Sequence, residues 1–330
     1  MARQELTGDQ ITLANPIDFR SPVFDGFSVA PNGLVAYRTS GQRWQLTWFD
    51  RSGRAVGVAA GPDTKGFNYP ELSFDDRLIA VDGWWMNTLA GSWNRLTFDA
   101  AGGSYLLWSH DGSHVLFASN RKGVRDLYWK PANGAGTDEL LLETPYDKVA
   151  EDLSKDGRYL LYCEDHPGTG RDLWVLDITE PARKPRPFVS TAADESMGTF
   201  SPDGRWVAYE TNESGRPEIV VASFANPTNR WQVSVGGGRQ PRWHPDGSEL
   251  YFIAPGGKLM GEPVPASGTA FEVRPATPLF QVQIATTASA AKKPQYAVAR
   301  DGRFLINQLV NEATIAPITV LMNWNPDIKK

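Results

Sequence analysis

The sequence has little of what staples a chain together or anchors it. Its single cysteine, Cys163, excludes an internal disulfide. Lying in the apolar run LLYCED, it reads as a buried, inert thiol. Four histidines and one thiol leave no HExxH and no cysteine cluster for zinc. No apolar stretch approaches the roughly 20 residues of a membrane-spanning helix. The first residues, MARQELTGDQ, lack the apolar core of a signal peptide. On that evidence the chain is cytoplasmic, or a targeting or membrane segment lies elsewhere in the native gene. The formal charge of −5 offers no basic footprint for nucleic acid, and no polybasic run suits a membrane surface. A G-x-S-x-G nucleophile elbow and a G-x-x-x-x-G-K-[ST] phosphate loop are both missing.

What is present is aromatic and turn-rich: 12 Trp, 10 Tyr and 15 Phe beside 31 Gly and 24 Pro, a composition of strands joined by tight turns. One motif recurs, an apolar residue, a polar turn ending in Asp-Gly, and a strand ending in an aromatic. TFSPDGRWVAYE (199–210), RWHPDGSELYFI (242–253) and LWSHDGSHVLFA (107–118) are the clearest copies. DLSKDGRYLLYC, AVARDGRFLINQ, SVAPNGLVAYRT and ELSFDDRLIAVD are weaker ones. The turn anchors Asn32, Asp75, Asp111, Asp156, Asp203, Asp246 and Asp301 are separated by 43, 36, 45, 47, 43 and 55 residues. About 45 residues is the length of a four-stranded propeller blade.

The columns have physical reasons. Three residues before each anchor stand Val29, Leu72, Trp108, Leu153, Phe200, Trp243 and Val298, apolar as a buried inner strand requires. After each anchor stands Gly, which takes positive φ freely, with Asp76 the exception. Third strands follow at RDLYWKP, RDLWVLD, PEIVVAS and KLMGEPV, and QLTWFD (45–50) is the first repeat's. Fourth strands follow at NRLTFD, DELLLE, RPFVS, RWQVSV and PLFQVQI. The second repeat is shortened, with Asp82-Gly83 turning directly into Trp84 and Trp85.

The expected fold is therefore all-β: one seven-bladed β-propeller of four-stranded antiparallel blades over residues 1–330. The blades fall near 27–60, 68–99, 104–143, 148–190, 195–235, 239–284 and 293–324. The seventh contributes YAVA, FLINQ and PITVLMNW, and the N-terminal segment 4–14 supplies its outer strand, closing the ring without an open edge.

SPDGRWVAY, SHDGSHVLFASNRKG and HPDGSELYFI resemble the WD-like repeats, with an S-P-D-G turn, of TolB-type propellers. The order FSPDGRWVAYE…GGGRQPRWHPDGSELYF…PITVLMNW also resembles the propeller that follows the kinase domain and membrane helix of some bacterial receptor-like serine/threonine kinases. No kinase motif is present. The resemblance implies a sensor or interaction domain outside the cytoplasm, periplasmic or extracellular, fused to or neighbouring a kinase or membrane segment in the native gene.

No residue set calls for catalysis. Ser109-His110-Asp111 are consecutive and form a blade turn, not a triad. His110 and His244 occupy equivalent turns; His114 starts a strand and His166 lies in a hairpin. GGGR (236–239) reads as the bend between two blades. Trp108, Trp129, Trp174, Trp206 and Trp243 fall on repeat positions and read as core between blades.

A ligand would meet the mouth of the central channel, ringed by charged residues on the inner strands. Asp25, Glu71, Glu151, Asp152 and Glu195 make one side acidic; Arg239, Arg242, Lys292 and Lys293 make the other basic. Such a surface suits a protein or peptide segment. The alternative is that these charges pair across the channel or are merely solvated. Glu151 and Asp152 are sequence neighbours, so they diverge and do not form an acid–base pair. The function read from the sequence is non-catalytic capture of a ligand or protein at the channel mouth, without cofactor, metal, nucleic acid or membrane insertion. The alternative is a propeller lyase or hydrolase with its site in the channel, or a structural module fused to a catalytic domain. Charge reversal at Arg242 or Glu71 is expected to weaken partner capture without unfolding the protein.

Overall fold

A computed structural model describes residues 27–29, 35–38, 42–63, 67–81, 84–87, 91, 93–95, 104–265, 270–284, 293–311 and 318–321. The chain forms two compact units, one of residues 45–61 and 67–309, the other of 1–44, 62–66 and 310–330.

The larger unit holds six four-stranded antiparallel sheets. Five are built from consecutive strands. The first is β5 (Glu71–Leu72), β6 (Leu78–Val81), β7 (Trp84–Asn87) and β8 (Trp93–Arg95). The second is β9 (Ser104–Trp108), β10 (His114–Ser119), β11 (Asp126–Pro131) and β12 (Glu139–Leu142). The third is β13 (Lys148–Leu153), β14 (Tyr159–His166), β15 (Gly170–Asp177) and β16 (Arg186–Val189). The fourth is β17 (Glu195–Phe200), β18 (Trp206–Thr211), β19 (Glu218–Ser223) and β20 (Arg230–Gln232). The fifth is β21 (Arg239–Trp243), β22 (Glu249–Ala254), β23 (Lys258–Pro263) and β24 (Thr277–Gln281). The sixth closes the ring from distant segments: β25 (Tyr296–Val298) and β26 (Phe304–Asn311) pair with β3 (Gln42–Phe49) and β4 (Ala55–Asp63). The first strands β5, β9, β13, β17, β21 and β25 contact one another in a closed cycle and line the centre.

The expectation of seven blades is thus overturned. The strands around the first repeat's Asn32 turn, β1 (Phe27–Val29) and β2 (Val35–Arg38), do not start a blade. They form a three-stranded sheet with β27 (Ile318–Leu321), which pairs Val35 with Leu321 and Arg38 with Ile318. PITVLMNW therefore does not complete the last blade, and the outermost strand of the closing sheet is β4; the segment 4–14 lies outside the described residues. The physical reason is that β3 is apolar on both faces. Leu46 packs with Ile79, Val81, Ala297 and Leu305, against the first sheet, while Phe49 packs with Phe280 and Phe304, against the fifth. Burial between two sheets holds β3 in the ring.

The repeated turn is built the same way in each of the six sheets. The anchor carboxylate accepts the backbone N–H two residues on, as Asp203 does from Arg205 at 3.1 Å and Asp301 from Arg303 at 3.1 Å. In four turns a serine two residues earlier bridges, with the Ser201 hydroxyl donating to Asp203 at 2.6 Å and accepting the Trp206 N–H at 2.9 Å. Gly204 turns at φ +73°, and Asp76 takes the same left-handed geometry at +59°. The core lies between sheets, where Trp108, Trp206 and Trp243 are buried as their repeat positions require.

Candidate functional site

Four residues before each anchor, the six innermost strands carry Glu71, Leu107, Asp152, Thr199, Arg242 and Ala297. This column converges at the channel mouth on the face of the Asp-Gly turns. Five of the six line one cavity of ≈160 Å³, and Leu107 lines an adjoining one of ≈150 Å³. The next column, Leu72, Trp108, Leu153, Phe200, Trp243 and Val298, supplies apolar wall to the two cavities. The turns add a rim that includes Phe74, His110, Lys155, Pro202 and Pro245.

Backbone geometry sets the aim of these side chains. Tyr69, Tyr105, Met197 and Gln240, each six residues before its anchor, have φ between +55° and +59°. The inner-strand registers slip beside three of them, between Leu116 and Ala118, Ser196 and Thr199, and Arg239 and Arg242. A bulge re-aims the side chains that follow it. Bonds between blades then fix the ring. The Trp108 indole donates to the Glu71 carbonyl at 3.3 Å, and the Trp243 indole to the Thr199 carbonyl at 3.1 Å. Asp152 accepts the Thr199 hydroxyl at 2.9 Å and the Phe200 N–H at 2.8 Å.

The charges at this mouth are paired across the channel. Arg242 forks onto Glu71 at 2.6 and 3.4 Å, with both side chains 12% exposed. Lys293 reaches in from the segment before β25: its ammonium is buried, donates to the Leu106 carbonyl at 2.9 Å and stands 3.9 Å from Glu71. Burial depresses that ammonium, an effect the Glu71 charge opposes. Asp152 is held above the usual carboxylate range by burial first and then by the Glu71 charge.

The other residues singled out by sequence do not join this group. Glu151 points between the third and fourth sheets, where it accepts the Met197 N–H at 3.2 Å; burial pushes its carboxyl up to about 7. It also bonds Cys163, whose buried thiol is driven well above its ordinary value, as an inert cysteine requires. Glu195 and Arg239 lie at the starts of β17 and β21, the far end of the channel from the turns. Glu195 bonds the Thr191 hydroxyl, and Arg239 pairs with Glu210 at 3.2 Å. The flagged charges thus occupy two levels of the channel. Asp25 and Lys292 lie outside the described residues. Glu151 and Asp152 diverge as expected. Sequence reasoning missed Leu107, Thr199 and Ala297 because they carry no charge; reading the column four before each anchor finds them. Among the described residues, no group of three or more His, Cys, Asp or Glu is placed to hold a metal ion, and no helix is long and apolar enough to cross a membrane.

Known proteins place this architecture. No protein-family model matches the chain. The Tol-Pal system protein TolB of Hydrogenovibrio crunogenus is 34% identical over 94 residues, covering 28% of this chain and 21% of that protein. The chain thus matches about a fifth of the length of this curated relative. A structure assigned as TolB from Agrobacterium tumefaciens superposes with a TM-score of 0.65 at 18% identity, covering 82% of this chain and 99% of the other. An oligogalacturonate lyase in complex with manganese superposes at 0.52 and 13% identity, covering 86% and 96%, a likeness of fold alone. None of these three is a receptor-like kinase. By its fold the chain carries a β-propeller similar to that of the Agrobacterium tumefaciens structure, and its repeats are similar in part to those of TolB.

Proposed function

We propose that this propeller is a non-catalytic protein-binding module that captures a segment of its partner at the channel mouth on the Asp-Gly face. The observation that carries the reading is the convergence of Glu71, Asp152 and Arg242 from three separate blades on a cavity walled by Phe200 and Trp243. Charged groups on a rigid apolar frame select a partner by electrostatic complementarity, while apolar burial supplies affinity. The likeness to TolB supports a partner in the bacterial cell envelope and a periplasmic setting for the module. The Glu71–Arg242 pair divides the mouth into two signs of charge, and exchanging the two inverts that pattern while keeping an ion pair. Affinity capture from a native envelope extract, with wild type and Arg242→Glu/Glu71→Lys as baits, tests the reading. A protein retained by the wild type and lost by the folded exchange variant supports it. Equal retention by both baits places the interaction elsewhere, and no retained protein by either turns the search to lyase and hydrolase substrates.

A further inference from the structure

Three registers of the repeat meet at the mouth on the Asp-Gly face. The residue just before each anchor forms the rim: Phe74, His110, Lys155, Pro202, Pro245 and Arg300. The column three before each anchor, from Leu72 to Val298, is apolar in all six sheets and walls the two cavities. The column four before each anchor carries Glu71, Asp152 and Arg242.

The charges here answer one another. Glu71 meets Arg242 at 2.6 Å and Lys293 at 3.9 Å. Asp152 accepts the Thr199 hydroxyl and the Phe200 N–H, and it interacts with the charges of Arg242 and Lys293. On the rim, the Arg300 guanidinium lies over the Phe74 ring at 5.1 Å, and the His110 imidazole stands 3.1 Å from the Leu153 carbonyl. Lys155 is exposed to water on its turn. A charged occupant would leave its hydration for groups that are already engaged, which is costly. A neutral occupant meets no such cost.

The surface left for it is apolar and largely aromatic. Trp108, Phe200 and Trp243 belong to the wall. Phe74 remains 42% exposed, even with Arg300 over its ring and the His110 ring edge-on at 5.2 Å. It is the one aromatic among the exposed large hydrophobics of the described residues, and at this rim it extends the apolar wall outward. The two spaces hold ≈160 and ≈150 Å³, and an apolar cavity of about 150 Å³ accepts benzene. Rings that meet edge-on or offset gain more than the area they bury, and aromatic anchors seated in such pockets dominate interfaces.

We propose that the mouth seats an uncharged six-membered aromatic ring, a phenylalanine side chain of the captured segment, between Phe74 and the apolar wall. The proposal rests on the channel-mouth reading and adds the side chain that this wall receives. The Glu71–Arg242 pair stays in place and orients the segment that carries the ring.

The test uses the N-acetyl amides of phenylalanine, leucine, lysine and aspartate as probes, four side chains of different chemistry on one backbone. Binding to the full chain is followed by the indole N–H resonance of Trp243, assigned with Trp243→Phe. The phenylalanine probe is expected to bind roughly tenfold more tightly than the lysine or aspartate probe, and roughly threefold more tightly than the leucine probe. Any of the other three binding as well as the phenylalanine probe overturns the proposal. Phe74→Ser, at an exposed position, is expected to weaken the phenylalanine probe roughly fivefold, and unchanged binding overturns the proposal too. The wild-type comparison stands whether or not the variant folds. Used as a capture bait, folded Phe74→Ser separates the two claims. Undiminished partner retention by it, where the exchange variant loses the partner, overturns the aromatic anchor and leaves the channel-mouth reading standing.

Discussion

Removing the Arg242 guanidinium alone is expected to destabilise the ring, because it strands a carboxylate. The pair is only 12% exposed on each side and makes a forked contact. Breaking a fully buried pair from one side costs about 3–5 kcal/mol. Here the partial exposure and the Lys293 ammonium 3.9 Å from Glu71 soften the loss, so about 2–3 kcal/mol is expected for Arg242→Met. For a unit of this size that corresponds to a fall in Tm of roughly 4–6 °C. Arg242→Met/Glu71→Gln removes both charges and is expected to return to within about 1 kcal/mol of wild type, leaving a coupling energy of about 2 kcal/mol. Denaturant unfolding followed by tryptophan fluorescence measures all four corners of the cycle. A single variant within about 0.5 kcal/mol of wild type, or a double variant no more stable than the single, refutes the argument. The same pairing corrects the expectation that a single reversal leaves the fold untouched. Arg242→Glu would set a third carboxylate beside Glu71 and Asp152, so the exchange variant is the proper control.

Three further outcomes follow from buried groups and from turns. Glu262 is fully buried, accepts the Arg274 N–H at 2.9 Å, and burial raises its carboxyl to about 7. Its protonated form is the one the fold favours, so wild-type stability falls as pH rises from the unfolded value near 4.5 through about 7. Glu262→Gln is expected to be the more stable protein at pH 8, by up to about 3 kcal/mol, and no different at pH 4; thermal melts at the two pH values check it, and an equal gap at both contradicts it. Gly204→Ala meets no atom within 4 Å but must hold φ +73°, so a loss of about 1 kcal/mol is expected from backbone strain alone. Gly198→Ala instead places a methyl 2.5 Å from Leu161 Cδ2. Overpacking there should cost about 1–3 kcal/mol, and both variants are read from unfolding midpoints.

Much of the ring was legible because the constraints are local. An Asp that caps its own turn, a residue that must turn left-handed, and an apolar position three before the anchor are set by short-range chemistry. They recur wherever a blade recurs, down to Asp76 at +59°. Closure was not legible. SVAPNGLVAY carries the same local pattern as a blade, yet its strands β1 and β2 pair with β27, and β3 joins β26 instead. Which strand pairs with which is decided by long-range burial, here of Leu46 and Phe49 between two sheets, and a repeat alignment does not encode it. The site was half legible. Glu71, Asp152 and Arg242 drew notice as charges and do gather at one mouth. Their uncharged companions at the same register did not, and the reach of Lys293 from one side of the channel to the Leu106 carbonyl depends on side-chain length and ring geometry together.

The central claim is that the mouth on the Asp-Gly face, with its charge pattern set by Glu71 and Arg242, holds a protein partner. Capture from envelope extract on wild type and on Arg242→Glu/Glu71→Lys, with both baits shown to melt cooperatively, tests it most directly. The account predicts a protein enriched on the wild type and absent from the exchange variant. The same protein retained equally by both would contradict it.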